Sequence, residues 1–244
     1  MADGTEKRES ALPLRSLVPN LVTMLGLCFG LTSIRFTFDD RFTFAAGLLI
    51  FAALLDGLDG LLARRLNAAS PFGAELDSLS DFVCFGVAPA MLVYNFGLSG
   101  LAGLGWLAAL FFAICCCLRL ARFNVAAKDD TNDGKSFTGV PAPAGAMLGI
   151  FPITLWLAGF ADMRDMQALV AVWVVAVGGL MIARFRTVSL KAMRVSRDNA
   201  VYVLLAAAIV IGLMLTRIWL FHVVASLLYL GMLAWGVLRA KRMT

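Results

Sequence analysis

The chain has 244 residues, of which 61% are hydrophobic and 15% charged, with 21 Lys and Arg against 16 Asp and Glu. Soluble domains are about 45–50% apolar and about 25% charged, so this composition excludes an ordinary water-soluble globule, and disorder needs the opposite bias. The five cysteines are too few for a disulfide scaffold. A polytopic membrane protein remains, provided that the apolar residues come in runs of about 20.

Eight apolar segments follow one another along the chain. Their length and their nearly uniform hydrophobicity predict transmembrane helices, and the sequence has no strand-like alternation of the β-barrel type. Pro89 and Pro152 predict local kinks. The predicted fold is therefore an all-α polytopic membrane protein. The segments are 17–34, 43–63, 76–97, 101–118, 140–159, 167–183, 200–216 and 218–238.

The basic residues predict the orientation of these helices, because cytoplasmic loops are enriched in Lys and Arg. With the N-terminus inside, most of the 21 basic residues fall on one side, and only Arg35, Arg41, Arg164 and Arg217 fall on the other. Both termini are therefore predicted to be cytoplasmic. The basic face suits contact with anionic lipid headgroups, and its spread along loop edges argues against nucleic acid as a partner.

Four aspartates occupy apolar segments, where an uncompensated Asp costs about 2.5–3.5 kcal/mol. Asp56 and Asp59 are spaced i, i+3, and Asp77 and Asp81 are spaced i, i+4, so each pair lies on one helix face. A short turn joins the two segments, so the four carboxylates are expected to converge near the cytoplasmic side. Carboxylate oxygens are ligands for Mg²⁺, Mn²⁺ and Ca²⁺, and no His or Cys lies within this cluster, which argues against Zn²⁺. Ion pairing with neighbouring arginines is the alternative.

Small residues and an arginine surround these acids. Gly57, Gly60 and Gly73 allow close approach of a ligand or of another helix. Arg64, one turn beyond Gly60, offers charge-assisted hydrogen bonds to phosphate. Together with metal-binding acids, this arrangement predicts an intramembrane, cytoplasm-facing site for a metal-bound phosphate ester. Plain helix packing is the alternative interpretation of the glycines.

The stretch from residue 56 to residue 81 resembles the signature of the CDP-alcohol phosphotransferases. The fixed positions of that signature are Asp56, Asp59, Gly60, Ala63, Arg64, Gly73, Asp77 and Asp81. Four further stretches resemble the bacterial subfamily that makes phosphatidylserine from CDP-diacylglycerol. They are Pro19-Asn20 with Thr23, LDSLSDFVCFGVAPA at 76–90, CLRLARFN at 117–124 and FTGVPAP at 137–143.

This resemblance implies a domain organisation. It predicts a cytoplasmic segment at 1–16, a six-helix catalytic membrane core at 17–185, a basic linker at 186–199, and a two-helix extension with a basic tail at 200–244. It also implies a homodimer in the bacterial cytoplasmic membrane, with the polar cavity open to the cytoplasm.

The resemblance implies a reaction as well. The phosphatidyl group passes from CDP-diacylglycerol to L-serine, giving phosphatidylserine and CMP. Two divalent ions, Mg²⁺ or Mn²⁺, are expected on Asp56, Asp59, Asp77 and Asp81, and Ca²⁺ is expected to occupy the site or to inhibit. Asp81 is the expected general base, since a serine hydroxyl needs a proton acceptor within reach.

The substrate-binding residues are also expected from the resemblance. Gly60, Ala63, Arg64 and Gly73 form the expected pocket for the cytidine and phosphates of CDP-diacylglycerol. Asn20 and Thr23 are expected to reach the diphosphate or a lipid oxygen, with a helix cap as the alternative. The serine carboxylate requires a cation, for which Arg119, Arg122 and Lys135 are the candidates. A basic membrane anchor is the alternative for the two arginines.

Other functions are consistent with part of this pattern. A different acceptor of the same family (choline, inositol phosphate or glycerol phosphate) is the nearest alternative. A divalent-cation transporter would explain acids in the membrane but not Arg64 between the two acid pairs. An aspartate-rich prenyltransferase would need acid motifs that lie further apart. His222, the one histidine, is expected to be a helix-contact residue.

Overall fold

The computed structural model describes residues 17–68, 70–128, 139–183 and 216–241, together with Gly212 and Met214. Every regular element in these ranges is helical, which confirms the predicted all-α fold. The segment 1–16, the linker 186–199, Lys135 and most of the predicted helix 200–216 lie outside the described residues. The division of the chain into a core and an extension stays a prediction.

Five helices in the described part of the chain are long and apolar enough to cross a membrane, as expected for a polytopic protein. They are α1 (Val18–Phe38), α2 (Phe42–Arg65), α3 (Pro71–Leu101), α4 (Gly103–Lys128) and, at the C-terminal end, α8 (Ile218–Lys241). Three shorter α-helices lie in the described range 139–183, between α4 and α8. These are α5 (Ala142–Gly149), α6 (Phe151–Leu157) and α7 (Gln167–Ile182).

The turn between α2 and α3 is tighter than the sequence predicts, because α3 begins at Pro71 rather than at residue 76. Ser70 caps this helix, and its hydroxyl accepts a hydrogen bond from the Gly73 N–H at 3.0 Å. Proline suits the first helical turn because its missing N–H is not needed there. Asp77 and Asp81 therefore lie inside α3, in its second and third turns, and Gly73 belongs to the helix rather than to the turn.

The end of α2 has a defined geometry as well. Asn67 has a φ of 50°, and the Ala68 N–H donates back to the Ala63 carbonyl at 3.0 Å. This is the hydrogen bond of a Schellman motif, in which the left-handed residue reverses the chain direction. The two caps together bring α3 back alongside the acid-bearing end of α2.

Both predicted proline kinks are accompanied by a break in regular α-helix. Around Pro89, α3 contains a π-helical turn at Phe82–Val87, where the Ala88 N–H donates to the Val83 carbonyl. Pro152 separates α5 from α6, with the break at Ile150. Because proline has no N–H, the Leu148 carbonyl loses its helical donor, and the Trp173 indole N–H on α7 donates to it instead at 2.7 Å.

The packing places the acid-bearing helices among close neighbours. The most extensive helix pairs are α1 with α2 and α4 with α7, while α3 contacts both pairs. At the α1–α3 crossing, a Cβ built on Gly30 would lie 2.7 Å from Cys84 Sγ and 3.3 Å from Cys84 Cα. Glycine is therefore required there for α1 to approach α3. The C-terminal helix α8 packs mainly on α6.

Candidate active site

Three aspartates converge where α2 and α3 lie side by side. Asp56, Asp59 and Asp77 each offer a carboxylate oxygen, and these three oxygens lie within 4.8 Å of one another. Asp59 is buried, with 6% of its surface exposed, and the other two are half-buried. A group of hard oxygen ligands at this separation fits a divalent cation such as Mg²⁺ or Mn²⁺.

Asp81 lies beside this group rather than within it. It lines the same small cavity as the other three aspartates, and its carboxyl group interacts electrostatically with those of Asp56, Asp77 and Asp59. The three-residue group thus leaves out Asp81, which the sequence analysis expects both as a fourth metal ligand and as the general base.

The first helix contributes directly to the acid cluster. The Thr23 hydroxyl donates a hydrogen bond to Asp59 Oδ2 at 2.7 Å, so this side chain orients a candidate ligand. Asn20 lies one turn earlier, against the start of α3, because a Cβ built on Gly73 would meet Asn20 Oδ1 at 2.8 Å. A side chain at residue 73 would therefore displace Asn20.

The remaining residues of the expected nucleotide pocket lie at the end of α2. Arg64 is exposed, and its side chain folds back along the helix, so that a Cβ built on Gly60 would lie 3.6 Å from Arg64 Nη1. Ala63 is half-buried one residue earlier. The structure thus brings Gly60, Ala63 and Arg64 onto the turns that directly follow Asp56 and Asp59.

Two cavity-lining residues were missed by the sequence analysis. Ser80 and Cys84 line the acid cavity, the Ser80 hydroxyl donates to the Thr23 carbonyl at 3.3 Å, and the Cys84 thiol donates to the Gly26 carbonyl at 3.3 Å. Their spacing from Asp77 is i+3 and i+7, which places them on the same helix face. The spacing alone would therefore have predicted that both residues lie beside the acids. The candidate metal group among the described residues contains aspartates and no cysteine, as expected; Cys84 lines the wider cavity, and its thiol donates to α1.

Arg119 on α4 is the basic residue that faces the acids. It is buried, with 9% of its surface exposed, and it interacts electrostatically with Asp56 and Asp81. Its Nε donates to the Val140 carbonyl at 2.6 Å, which fixes the guanidinium plane. The other two guanidinium nitrogens, Nη1 and Nη2, can donate hydrogen bonds to a carboxylate or a phosphate.

Arg122 has a different position from Arg119. Its guanidinium nitrogens donate to the Ile182 carbonyl at 3.0 Å and to the Met181 carbonyl at 3.5 Å, at the C-terminal end of α7. Basic side chains commonly satisfy the last carbonyls of a helix in this way. Lys135, the third candidate for the serine carboxylate, lies outside the described residues.

Gly139 and Val140 connect these arginines to α7. The Val140 N–H donates to the Leu180 carbonyl at 3.3 Å, while its own carbonyl accepts from Arg119. Gly139 has a φ of +80°, and a Cβ there would lie 2.7 Å from the Ala183 carbonyl oxygen. The position therefore requires glycine for both its backbone angle and its space.

The site as a whole combines opposite charges at close range. Oxygen ligands from two helices can hold a divalent cation, and that cation together with Arg64 can neutralise a diphosphate. A buried, fixed guanidinium on the far side can bind a small anion. The arrangement suits transfer between a phosphate ester and a second, anionic substrate.

Comparison with known proteins agrees with this chemistry. The family model for CDP-alcohol phosphatidyltransferase matches residues 16–181. Three relatives are each named CDP-diacylglycerol–serine O-phosphatidyltransferase. The Mycobacterium leprae protein is 40% identical over 204 residues, 80% of this chain and 68% of the relative. The Helicobacter pylori protein is 33% identical over 230 residues, covering 92% and 93%, and that of Methanocaldococcus jannaschii is 37% identical over 166 residues, covering 68% and 71%.

The Thr23–Asp59 hydrogen bond generates a prediction about metal affinity. Replacing Thr23 by Val removes the donor to Asp59 while keeping the shape of the side chain. Loss of a group that orients a metal ligand typically lowers affinity by about 10–100-fold. We expect this shift in the Mn²⁺ concentration that gives half-maximal thermal stabilisation of the purified chain. Thr32→Val is the control, because Thr32 lies on the same helix and bonds the Cys28 carbonyl. Equal Mn²⁺ dependence of the two variants would contradict the role of Thr23.

Proposed function

The chain belongs to the CDP-alcohol phosphatidyltransferase family, and on that basis we propose that it transfers the phosphatidyl group of CDP-diacylglycerol to L-serine. The products are phosphatidylserine and CMP. The observation that carries this proposal is the group formed by Asp56, Asp59 and Asp77, whose carboxylate oxygens lie within 4.8 Å of one another inside a helical membrane protein. Relatives that carry the name of this enzyme support serine as the acceptor.

The acids have the chemistry needed to hold divalent cations. Asp56, Asp59 and Asp77, with Asp81 beside them, offer only oxygen ligands, which suit Mg²⁺ or Mn²⁺. When bound, such cations supply charge neutralisation for the diphosphate and for the CMP that leaves. Thr23 holds the Asp59 carboxylate in place for that purpose.

The donor headgroup is held by the residues around the ends of α1, α2 and α3. Arg64 offers its guanidinium to the phosphates, and Gly60 and Gly73 leave room for the nucleotide beside the acids. Asn20, which lies against Gly73, is positioned to bond a polar group of the headgroup. The acyl chains of the donor extend from the headgroup toward the apolar interior of the membrane.

Asp81 is the proposed general base. The serine hydroxyl oxygen attacks the phosphorus that carries the diacylglycerol, a new P–O bond forms, and the P–O bond to CMP breaks with its electron pair leaving on CMP. The hydroxyl proton passes to a carboxylate oxygen of Asp81, which must lie within about 2.6–3.2 Å of the hydroxyl. This role is supported by the position of Asp81, which lines the same cavity as the three candidate metal ligands.

Arg119 is the proposed partner of the serine carboxylate. It is buried, it faces Asp81, and its Nε is already held by the Val140 carbonyl. A guanidinium with a fixed plane binds a carboxylate without further loss of side-chain entropy. This assignment places the serine hydroxyl between the arginine and the general base. Arg122 is not proposed for this role, because its guanidinium already donates to the carbonyl at the end of α7.

The orientation of the site is inferred from charge. Arg64 and Arg65 follow the acids at the same end of α2, and the positive-inside rule assigns such an end to the cytoplasm. We therefore infer a cytoplasm-facing site in a bacterial inner membrane. A homodimer is expected from the family resemblance and is a question for solution measurements.

The reaction is tested by giving the purified chain CDP-diacylglycerol, Mn²⁺ and one alcohol at a time. Serine, choline, inositol phosphate and glycerol phosphate form the panel, and CMP release and the lipid product are followed. We expect CMP and phosphatidylserine in equal amounts with serine only. Release with another alcohol would reassign the acceptor. No release with any of them would refute phosphatidyl transfer.

The proposed role of Asp81 predicts that its substitution lowers the rate of CMP release without weakening the binding of CDP-diacylglycerol. Asp81→Asn removes the proton acceptor, and general-base catalysis is commonly worth about 10²–10⁴-fold in rate. We expect a loss of that size in CMP release, with stabilisation by CDP-diacylglycerol retained in thermal unfolding. Asp39→Asn, at an exposed position near the end of α1, is the control and should keep full activity. Asp81 loses the base role if its Asn variant keeps more than a tenth of the rate.

The proposed role of Arg119 predicts that its substitution changes the KM for serine and not the KM for the lipid donor. A hydrogen bond to a charged group is worth about 1.5–3 kcal/mol, so Arg119→Gln should raise the KM for serine by about 10–100-fold. The KM for CDP-diacylglycerol should change little, and Arg119→Lys should recover part of the loss. Arg122→Gln is the matched control, expected to lower thermal stability while leaving the serine KM unchanged. The opposite result for the two arginines would reverse their assignment.

A further inference from the structure

A groove runs between α2, α5 and the C-terminal helix α8. It has a volume of about 430 Å³ and is lined almost entirely by apolar side chains. Ala53 and Leu54 come from α2, Ala144 and Met147 from α5, and Ala225 from α8. Leu54 and Ala225 are exposed, and in a membrane-spanning bundle an exposed apolar side chain faces lipid. The groove is therefore open to the acyl chains of the bilayer.

One end of this groove lies at the acid cluster. Ala53 lines the groove and precedes Asp56 by three residues, so the two residues lie on the same face of α2, one helical turn apart. At the other end, Ile50 of α2 and Ile218 of α8 line the groove. The distance along α2 from Ile50 to Leu54 is about 6 Å, and the groove extends from the site toward the depth of the membrane.

Tyr229 lies at the end of the groove nearest the acids. Its hydroxyl is buried and has no hydrogen-bond partner among the described residues, and it interacts electrostatically with Arg119. Arg119 in turn interacts with Asp81. A buried hydroxyl without a partner is unfavourable, and a ligand that brings an oxygen acceptor to this point would satisfy it.

His222 lies two turns deeper on the same helix. Its Nδ1 is 3.0 Å from the Thr154 hydroxyl, a contact that joins α8 to α6. Its Nε2 is the other buried polar atom that lacks a partner among the described residues. The wall that α8 contributes is thus held to the rest of the protein at its deep end.

A second apolar groove, between α3 and α4, is the competing position for a lipid chain. It has a volume of about 340 Å³ and includes Phe82, Met91, Trp106 and Leu118. Its lining contains no hydroxyl and no charged side chain among the described residues. This groove can hold a hydrocarbon chain but offers no group of the Tyr229 type to fix the ester end of a lipid.

We propose that the α2–α5–α8 groove holds one acyl chain of the lipid donor, and that the Tyr229 hydroxyl donates a hydrogen bond to an ester carbonyl of that chain. An ester carbonyl oxygen can only accept a hydrogen bond, so it suits the Tyr229 hydroxyl, which has a proton to donate. The inference rests on the proposed function, since it takes CDP-diacylglycerol as the donor. It gives α8, which lies beyond the residues 16–181 matched by the family model, a role in binding the substrate.

The test compares two donors, CDP-dioleoylglycerol and CDP-dihexanoylglycerol, with the purified full chain. Ala225→Leu fills the groove, so we expect kcat/KM for the dioleoyl donor to fall about tenfold or more. The dihexanoyl donor should lose no more than about threefold, and the KM for serine should not change. Leu228→Trp, on the lipid-exposed side of the same helix, is the control and should behave as the wild type with both donors.

The outcomes separate the two proposals. If the wild type releases no CMP from either donor, the proposed function fails. If the wild type is active but Ala225→Leu affects both donors equally or neither, the groove does not hold the chain. Tyr229→Phe should raise the KM for both donors about five- to tenfold. A rise in the serine KM instead would place Tyr229 in the acceptor site and overturn the proposal.

A direct measurement covers the case in which a groove variant fails to fold. The wild-type chain is irradiated with a CDP-diacylglycerol analogue that carries a diazirine midway along one acyl chain, and the labelled residues are identified by mass spectrometry. Labels within residues 50–54 and 218–229 are expected. Labels confined to α3 and α4 would place the chain in the second groove and refute the inference.

Discussion

Four carboxyl groups around one cavity, inside helices that cross a membrane, form the constraint on which the rest of the structure depends. Each would cost about 2.5–3.5 kcal/mol at the centre of the bilayer if nothing compensated it. The protein places specific partners near them: the Thr23 hydroxyl donates to Asp59, and the buried Arg119 interacts electrostatically with Asp56 and Asp81. These contacts do not neutralise all of the negative charge of the four carboxylates, and divalent cations can neutralise the remainder.

That constraint explains why α1 approaches α3 so closely. Glycine at position 30 admits Cys84, while the Ser80 hydroxyl and the Cys84 thiol donate to carbonyls of α1. Hydrogen bonds between helices hold polar groups that lipid cannot satisfy. The side chains that line the acid cavity are thus the same ones that join the two helices. Catalytic geometry and helix packing are determined together.

Much of this could be predicted from the sequence, because the spacing of the aspartates fixes their helix faces and the Ser70-Pro71 pair marks a helix start. The predicted start of α3 at residue 76 nevertheless lies five residues beyond the observed start at Pro71, because hydrophobicity marks the apolar part of a helix and not its cap. The contact of Thr23 with Asp59, 36 residues away, could not be derived, because helical periodicity says nothing about which helices cross.

The two arginines of α4 illustrate the same limit. They are spaced i, i+3 and have equivalent sequence surroundings, yet Arg119 faces the acids and Arg122 bonds the end of α7. The difference arises from where Val140 and α7 meet α4, which is a tertiary property. Tyr229 belongs to this class as well, because its relation to Arg119 depends on how the last helix packs.

The contact of Gly139 with the end of α7 has a consequence for acceptor selection. The carbonyl that holds Arg119 belongs to Val140, the residue after Gly139. The orientation of the guanidinium therefore depends on the backbone conformation at Gly139. A side chain at residue 139 would clash with the end of α7 and displace the Val140 carbonyl that holds Arg119. Under the role proposed for Arg119, binding of the acceptor would therefore depend on a residue that does not line the acid cavity.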